Sequence, residues 1–228
     1  MEAVVALLAE ASAEAVEVPV RPVQHDANMY YRIENIPNEQ TMQAVVTGLL
    51  PLVPFSRREK ALRYKHLHGQ YTCLRAWQLL HELLIAHAYL PATFPLSELT
   101  YTEDEFGKPF LRISACFSLS HTKNAIAVAI DNQPIGIDVE AIASAERLAD
   151  AHFLERTMNA DERRRIAAAT EPSVAFTELW TQKEALVKAR GTGLNDLNSL
   201  PALLTQVAPF ELRSAHTADY AYAIAYRL

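Results

Sequence analysis

An α+β fold made of two similar halves is what this 228-residue sequence predicts, on three observations. A basic helix followed by an apolar, tryptophan-bearing helix occurs twice, around Arg57–Lys65 with Trp77 and around Asp161–Ile166 with Trp180. Each series closes on an alternating strand, Ala125 to Ile130 and Tyr220 to Arg227. Between them Asp131-Asn132-Gln133-Pro134 breaks the chain. No strong residue identity links the halves, so the repetition is one of element order. Units of about 100 residues are ordinary for small domains, and one mixed domain is the plain alternative. The expected division is an N-terminal extension over 1–28, a first half over 29–132 and a second over 133–228.

Composition narrows the class. Half of the residues are hydrophobic and 21% are charged, as in an ordinary globular chain. A net charge of −6 argues against wholesale nucleic-acid binding, which needs a basic stripe. Cys73 and Cys116 are too few and too isolated for a disulfide framework or a zinc site. They read as reduced, buried residues of a cytoplasmic protein. Ala3 to Leu8 is apolar, but Glu2, Glu10 and Glu14 surround it and no basic segment precedes it. Neither a secretory signal nor a membrane span of ~20 apolar residues is therefore expected, and 2–15 reads as an amphipathic helix.

Along the chain, Val16 to Val23 and Met29 to Ile33 have the composition of short strands around the turn His25-Asp26-Ala27-Asn28. A helix follows over about 39–50, then a basic helix from Ser56 to Lys65. Over 70–89, Leu74, Trp77, Leu80 or His81, and Leu84 have the spacing of a core-facing helix, ended by Pro91 and Pro95. Leu99 to Thr102 reads as a strand, Phe106-Gly107-Lys108-Pro109 as a tight turn, and Cys116 to Ile130 as a hairpin around His121–Asn124. The Trp180 helix begins near Pro172-Ser173 and stops at Gly191, a residue suited to the left-handed position after a helix.

The chemistry sits in two segments. Gly136-Ile137-Asp138-Val139-Glu140 reads as a strand, and alternation puts Asp138 and Glu140 on one face. Alone, that pair is better explained by a solvated strand face. On the helix, Trp180, Glu184 and Lys188 follow at i, i+4 and i+8 and share a face. A surface ion pair of about 0.3–0.5 kcal/mol would account for Glu184 and Lys188, but would leave Lys183 and Gly191-x-Gly193 unexplained. Mg²⁺ takes oxygen ligands and combines carboxylates with substrate phosphates and water. Asp138, Glu140 and Glu184 with a pyrophosphate oxygen would fill such a shell.

The pattern Trp-x-x-Lys-Glu-Ala-x-x-Lys-x-x-Gly-x-Gly-Leu over Trp180–Leu194, with Gly-Ile-Asp-Val-Glu over 136–140, resembles the motifs of 4′-phosphopantetheinyl transferases of the surfactin (Sfp) type. Phe106-Gly107-Lys108-Pro109 and Phe117-Ser118-Leu119-Ser120-His121 agree and stand in the family's order. The first basic helix extends the likeness to about residue 57, whereas 1–28 and the details of 195–228 lie outside it.

The resemblance implies a pseudo-dimer with the active site in the cleft between its halves, acting as a monomer without nucleic acid or membrane. Coenzyme A would be the co-substrate, Mg²⁺ (or Mn²⁺) the metal, and an apo acyl or peptidyl carrier protein the partner. Its serine would attack the β-phosphate, taking the phosphopantetheine arm and releasing 3′,5′-ADP. Carried over by position, Asp138, Glu140 and Glu184 are the metal site. Glu184 and Lys188 are the catalytic pair, with Glu184 first a ligand and second a base, since metal binding weakens its basicity. Lys188 would neutralise the pyrophosphate, helped by Lys183. Lys108, Ser120 and His121, with Arg57 and Lys60, would meet the 3′-phosphate, and Thr72 is a further hydroxyl near the nucleotide. For His121 a structural role, and for Arg57 and Lys60 a solvated helix face, are the competing readings. Two rivals keep the fold and change the activity. A non-catalytic binding module would have lost a carboxylate or Lys188, and a phosphohydrolase would use water in place of the serine.

Overall fold

Two strands in this chain are apolar on both sides, and each forms the centre of a sheet. The computed structural model describes residues 29–105 and 108–227, the side chains of 194–198 excepted, so the helix expected over 2–15 and the strand expected over 16–23 lie outside the described residues. β1 (Tyr30–Asn35) is followed by α1 (Glu39–Leu49), α2 (Phe55–Leu62) and the long α3 (Leu67–Ala86). The short pair β2 (Thr102–Glu103) and β3 (Pro109–Phe110) leads into the hairpin of β4 (Cys116–His121) and β5 (Ala125–Asp131). β6 (Ile135–Ala141) opens the second series, with α4 (Ala145–Ala149), α5 (Ala151–Thr157), α6 (Ala160–Ala168) and α7 (Pro172–Arg190). A 3₁₀ stretch over Gly193–Thr205 and the hairpin of β7 (Phe210–His216) and β8 (Tyr220–Arg227) complete it.

The fold is α+β, and one connectivity occurs twice. The sheets have the orders β1-β5-β4 and β6-β8-β7 with antiparallel pairing throughout. In each series the last strand inserts between the other two, and the longest helix packs on its own sheet. The side chains say why. Ile126, Val128 and Ile130 of β5 join Leu74, Trp77, Leu80 and Leu84 of α3 in one core. The alternate residues Ala125, Ala127 and Ala129 turn to the other sheet and meet Ile135, Ile137, Val139, Tyr222, Ile224 and Tyr226. Small residues opposite large ones let two sheets interdigitate without voids. In β8 the small residues face the helix instead, where Ala223 and Ala225 pack against Ala185, Leu186 and Ala189 of α7.

Edge strands β4 and β6 run beside each other, and hydroxyls of β4 and of Thr122 just after it satisfy β6. Ser118 Oγ accepts from the Ile137 amide at 3.0 Å, and Thr122 Oγ1 from the Ala141 amide at 3.1 Å. Between them Ser120 Oγ donates to Asp138 Oδ1 at 2.8 Å. These contacts answer the need of edge amides for partners.

Two expectations need correction. Leu99 is not in a strand: Leu96–Glu98 is a 3₁₀ turn, and only Thr102–Glu103 pairs, with Pro109–Phe110. Its apolar character reflects burial at 3% exposure, and its carbonyl accepts from the Trp77 indole at 3.1 Å. The prolines do not end α3. The helix stops at His87, before Ala88 at φ 59°, ahead of Pro91.

Candidate active site

Gly136 sets the distance between strand and helix. A Cβ there would stand 2.0 Å from the Ala185 carbonyl oxygen and 2.5 Å from the Ala189 nitrogen, so only glycine lets α7 lie directly on β6. Glu184 and Lys188, the neighbours of those two alanines, are thereby brought opposite the strand. Ile137 and Val139 point into the core between the sheets, as alternation requires. Asp138 and Glu140 take the other face. α7 has proline in its first turn and ends on Gly191 at φ 74°, whose amide closes on the Val187 carbonyl at 3.0 Å.

At the centre is Asp138, buried at 3% exposure. Its Oδ1 accepts from Lys188 Nζ at 2.6 Å as well as from Ser120, and Lys188 Nζ also reaches the Ile137 carbonyl at 3.2 Å. Oδ2 is buried with no hydrogen-bond partner. Burial and then the Asp138 charge push the Glu184 carboxyl above its usual range, and Lys188 partly offsets them. Glu140 is raised for the same two reasons, offset by Arg147, Lys188 and the Trp180 indole N–H, which lies near it without closing a hydrogen bond. Asp138 thus acts on both of the other acids.

Among the described residues no three Asp, Glu, His or Cys side chains form a closed metal cage. Mg²⁺ does not call for one: it is held by one or two carboxylates, completed by substrate phosphates and water. A buried carboxylate oxygen without a donor, between two acids already strained toward protonation, fits such a partly open site.

Basic side chains gather around His121. This residue, at the end of β4, is held below the ordinary imidazole range by partial burial, then by His68, Lys188 and Lys60. His121 thus has basic side chains from both series, Lys60 and Lys188, as neighbours. His68 was not among the sequence candidates. It lies in the first turn of α3, and its Nε2 is buried without a partner. A lone histidine in a first turn gives no signal in sequence.

Four other sequence candidates fall elsewhere. Lys183 is fully buried, and its Nζ donates at 2.7 Å to the Thr157 carbonyl, Glu162 Oε2 and the Leu200 carbonyl. All three ammonium protons are spent on the scaffold, so it cannot assist a pyrophosphate. Lys108 Nζ donates to the Lys188 carbonyl at 2.6 Å and the Ala189 carbonyl at 3.3 Å, capping α7. It lies beside a cavity of about 680 Å³ lined also by Phe110, Cys116 and Gly191. Arg57 is 6% exposed and stacks on Trp77 and Tyr101, its guanidinium carbon 4.0 and 5.1 Å from the ring centres. Thr72 is buried and bonds the Gly69 carbonyl at 3.3 Å within its own helix. Ser120 is beside Asp138, and its hydroxyl proton goes to that carboxylate.

Comparison with known proteins places the chain in a family. The family described as the 4′-phosphopantetheinyl transferase superfamily matches residues 134–226, the stretch that holds β6, α7 and β8. The chain is 30% identical to the 4′-phosphopantetheinyl transferase psf-1 of Bacillus pumilus, over 77% of this chain and 74% of that one. It is 29% identical to the 4′-phosphopantetheinyl transferase gsp of Aneurinibacillus migulanus, over 70% and 64%. With the 4′-phosphopantetheinyl transferase Sfp of Bacillus subtilis the identity is 28%, over 72% and 73%. The chain belongs to the 4′-phosphopantetheinyl transferase superfamily, in its surfactin-type group, and is an enzyme. Among the described residues no helix is long and apolar enough to cross a membrane.

Proposed function

We propose that this enzyme moves the 4′-phosphopantetheine arm of coenzyme A onto a serine of an apo carrier protein and releases 3′,5′-ADP, with Mg²⁺ or Mn²⁺ bound. The observation that carries the reading is the β6–α7 constellation, in which Asp138 keeps one buried oxygen unpartnered while Lys188 and Glu184 stand beside it. In the same reading, 29–132 supplies the 3′-phosphate side through Lys60, His121 and His68, and 133–228 supplies the metal side.

The reaction is one displacement at phosphorus. The carrier serine oxygen bonds to the β-phosphorus, the bond from that phosphorus to the bridging oxygen breaks, and 3′,5′-ADP leaves with the bridging oxygen. A bound divalent cation would neutralise charge on the pyrophosphate oxygens. Asp138 Oδ2, Glu140 and Glu184 are the oxygens that would hold it. Lys188 shares its proton donors between Asp138 and the Ile137 carbonyl and can turn them to a phosphate oxygen as charge builds there. Glu184 is first a ligand of the cation, which weakens it as a base, and second the group that would take the serine proton directly or through water. Most of the acceleration in such chemistry comes from alignment and charge stabilisation.

The test is incubation with coenzyme A, Mg²⁺ and apo carrier proteins of fatty-acid, polyketide and peptide synthesis, followed by intact-mass measurement. Gain of the phosphopantetheine mass on one carrier, lost on chelation, supports the reading. No gain on any carrier with either metal refutes it.

A further inference from the structure

We propose that Ser120 is a positioning residue, fixing Asp138 through Oδ1 so that Oδ2 is the oxygen left for a divalent cation; this rests on the metal-assisted reading above. A carboxylate turns freely about its last torsion, which is broad and two-fold, so its two oxygens exchange unless something distinguishes them. Here Ser120 Oγ at 2.8 Å and Lys188 Nζ at 2.6 Å both donate to Oδ1. Among the described residues nothing donates to Oδ2, although it is buried. The two donors come from different elements, β4 and α7, so the carboxylate is clamped from both sides of the site.

A serine hydroxyl has one proton to give. Phosphate oxygens accept hydrogen bonds, so a Ser120 contact to a coenzyme A phosphate would need the proton now given to Asp138. The burial of Ser120, 9% exposed, keeps it on the carboxylate. Its neighbours of the same face do something different: Ser118 and Thr122 use their oxygens as acceptors for β6 amides and touch no carboxylate there. Orientation of a ligand by a hydrogen-bonding partner behind it is a general property of metal sites, and loss of such a partner typically costs about 10–100-fold in metal affinity.

The experiment measures Mn²⁺ affinity by electron paramagnetic resonance in the presence of coenzyme A and without any carrier, so that no turnover is read. Ser120→Ala is expected to weaken Mn²⁺ by about 10–100-fold, while coenzyme A affinity in EDTA stays at the wild-type value. Ser120→Thr, which keeps the hydroxyl, should restore most of the metal affinity. Ser118→Ala should lower thermal stability and leave Mn²⁺ affinity in place, separating orientation of Asp138 from integrity of the β4–β6 seam. If Ser120→Ala does not fold, Ser120→Cys takes its place as a same-shaped, poorer donor. Wild-type Mn²⁺ affinity in the Ala or Cys variant, or a loss confined to coenzyme A in EDTA, overturns the proposal and leaves the metal reading standing. Absence of Mn²⁺ binding by the wild-type protein overturns both.

Discussion

Lys183 and Glu162 form an ion pair at 2.7 Å in the interior, one residue away from the catalytic face of α7. Glu162 does two things at once: its Oε2 also accepts from the Asn159 amide at 2.7 Å, closing the capping box of α6. The lysine further holds the end of α5 and the 3₁₀ stretch through the Thr157 and Leu200 carbonyls. Three segments are therefore tied to the helix that bears Glu184 and Lys188.

Lys183→Met should accordingly cost stability rather than substrate affinity. Removing one partner of a buried pair leaves the other uncompensated, at about 3–5 kcal/mol. Urea unfolding should show that loss, and pairing the change with Glu162→Gln should recover part of it. At a temperature where the variant is folded, KM for coenzyme A should match wild type. A stable variant with a raised KM would return Lys183 to the substrate.

Gly136→Ala should damage catalysis more than its single methyl suggests. The added carbon would meet the backbone of Ala185 and Ala189, which no side-chain rotation relieves, so α7 must back away from β6. Overpacking of this kind costs about 1–3 kcal/mol or more. A displacement of Glu184 and Lys188 by about 1 Å can reduce rate by on the order of 100-fold. Steady-state kcat and thermal unfolding measured together test this, and a wild-type kcat would show that the close approach is not needed.

Much of this architecture was legible in sequence because it depends on periodicity. The α3 stripe of Leu74, Trp77, Leu80 and Leu84, the alternation of Ile137 and Val139 against Asp138 and Glu140, and the stop at Gly191 follow from the repeats of helix and strand. Charged residues were harder, since a lysine in a motif carries the same letter whether it faces a ligand or the core. Lys183 and Lys108 were assigned to phosphates because their tertiary partners, the Leu200 carbonyl and the end of α7, are remote in sequence or set by folding. His68 was missed because its importance comes only from its neighbours, His121 and Lys60.

The acids at the site make the metal-free protein sensitive to pH. Burial and then Asp138 raise Glu140, so the folded state favours its protonated form relative to the unfolded chain. The sign follows by linkage: the contribution of Glu140 to stability is most favourable below the ordinary carboxylate value near 4.5 and is lost as pH rises through and above it. Glu140→Gln removes that penalty. Its melting temperature in EDTA should rise relative to wild type as pH increases from about 4.5 upward, and Mg²⁺ with coenzyme A should shrink the difference. A difference that is flat with pH would mean Glu140 is not held in a perturbed state.

Two residues first assigned to one phosphate should now separate. His121 stands near Lys60 and Lys188, whereas Lys108 caps α7. His121→Ala should weaken coenzyme A more than 3′-dephospho-coenzyme A, by about tenfold if one charge-assisted hydrogen bond is lost. Lys108→Ala should weaken both alike and lower the melting temperature. Calorimetric titration with the two ligands decides, and equal losses for His121→Ala would remove it from the 3′-phosphate.

The carrier surface has two candidates, the basic helices α2 and α6. Arg163 is half-buried with Nη1 3.5 Å from the Met158 carbonyl, and Arg164 pairs with Asp161 one turn away. Around α2, by contrast, exposed Arg63 and Lys65 stand among exposed apolar residues, with Phe55 at 73%, Leu62 at 53% and Tyr64 at 38% exposure. Lys60, on the same helix, acts on His121, so this surface adjoins a residue proposed for coenzyme A. An acidic carrier helix with an apolar stripe would match both features. Arg63→Glu with Lys65→Glu should therefore raise KM for an acidic carrier and leave KM for coenzyme A unchanged, while Arg163→Glu with Arg164→Glu should do less. The gap should narrow with added salt, since exposed charges are screened beyond about 8 Å at physiological ionic strength. A larger effect from the Arg163 and Arg164 pair at low salt would move the docking surface to α6.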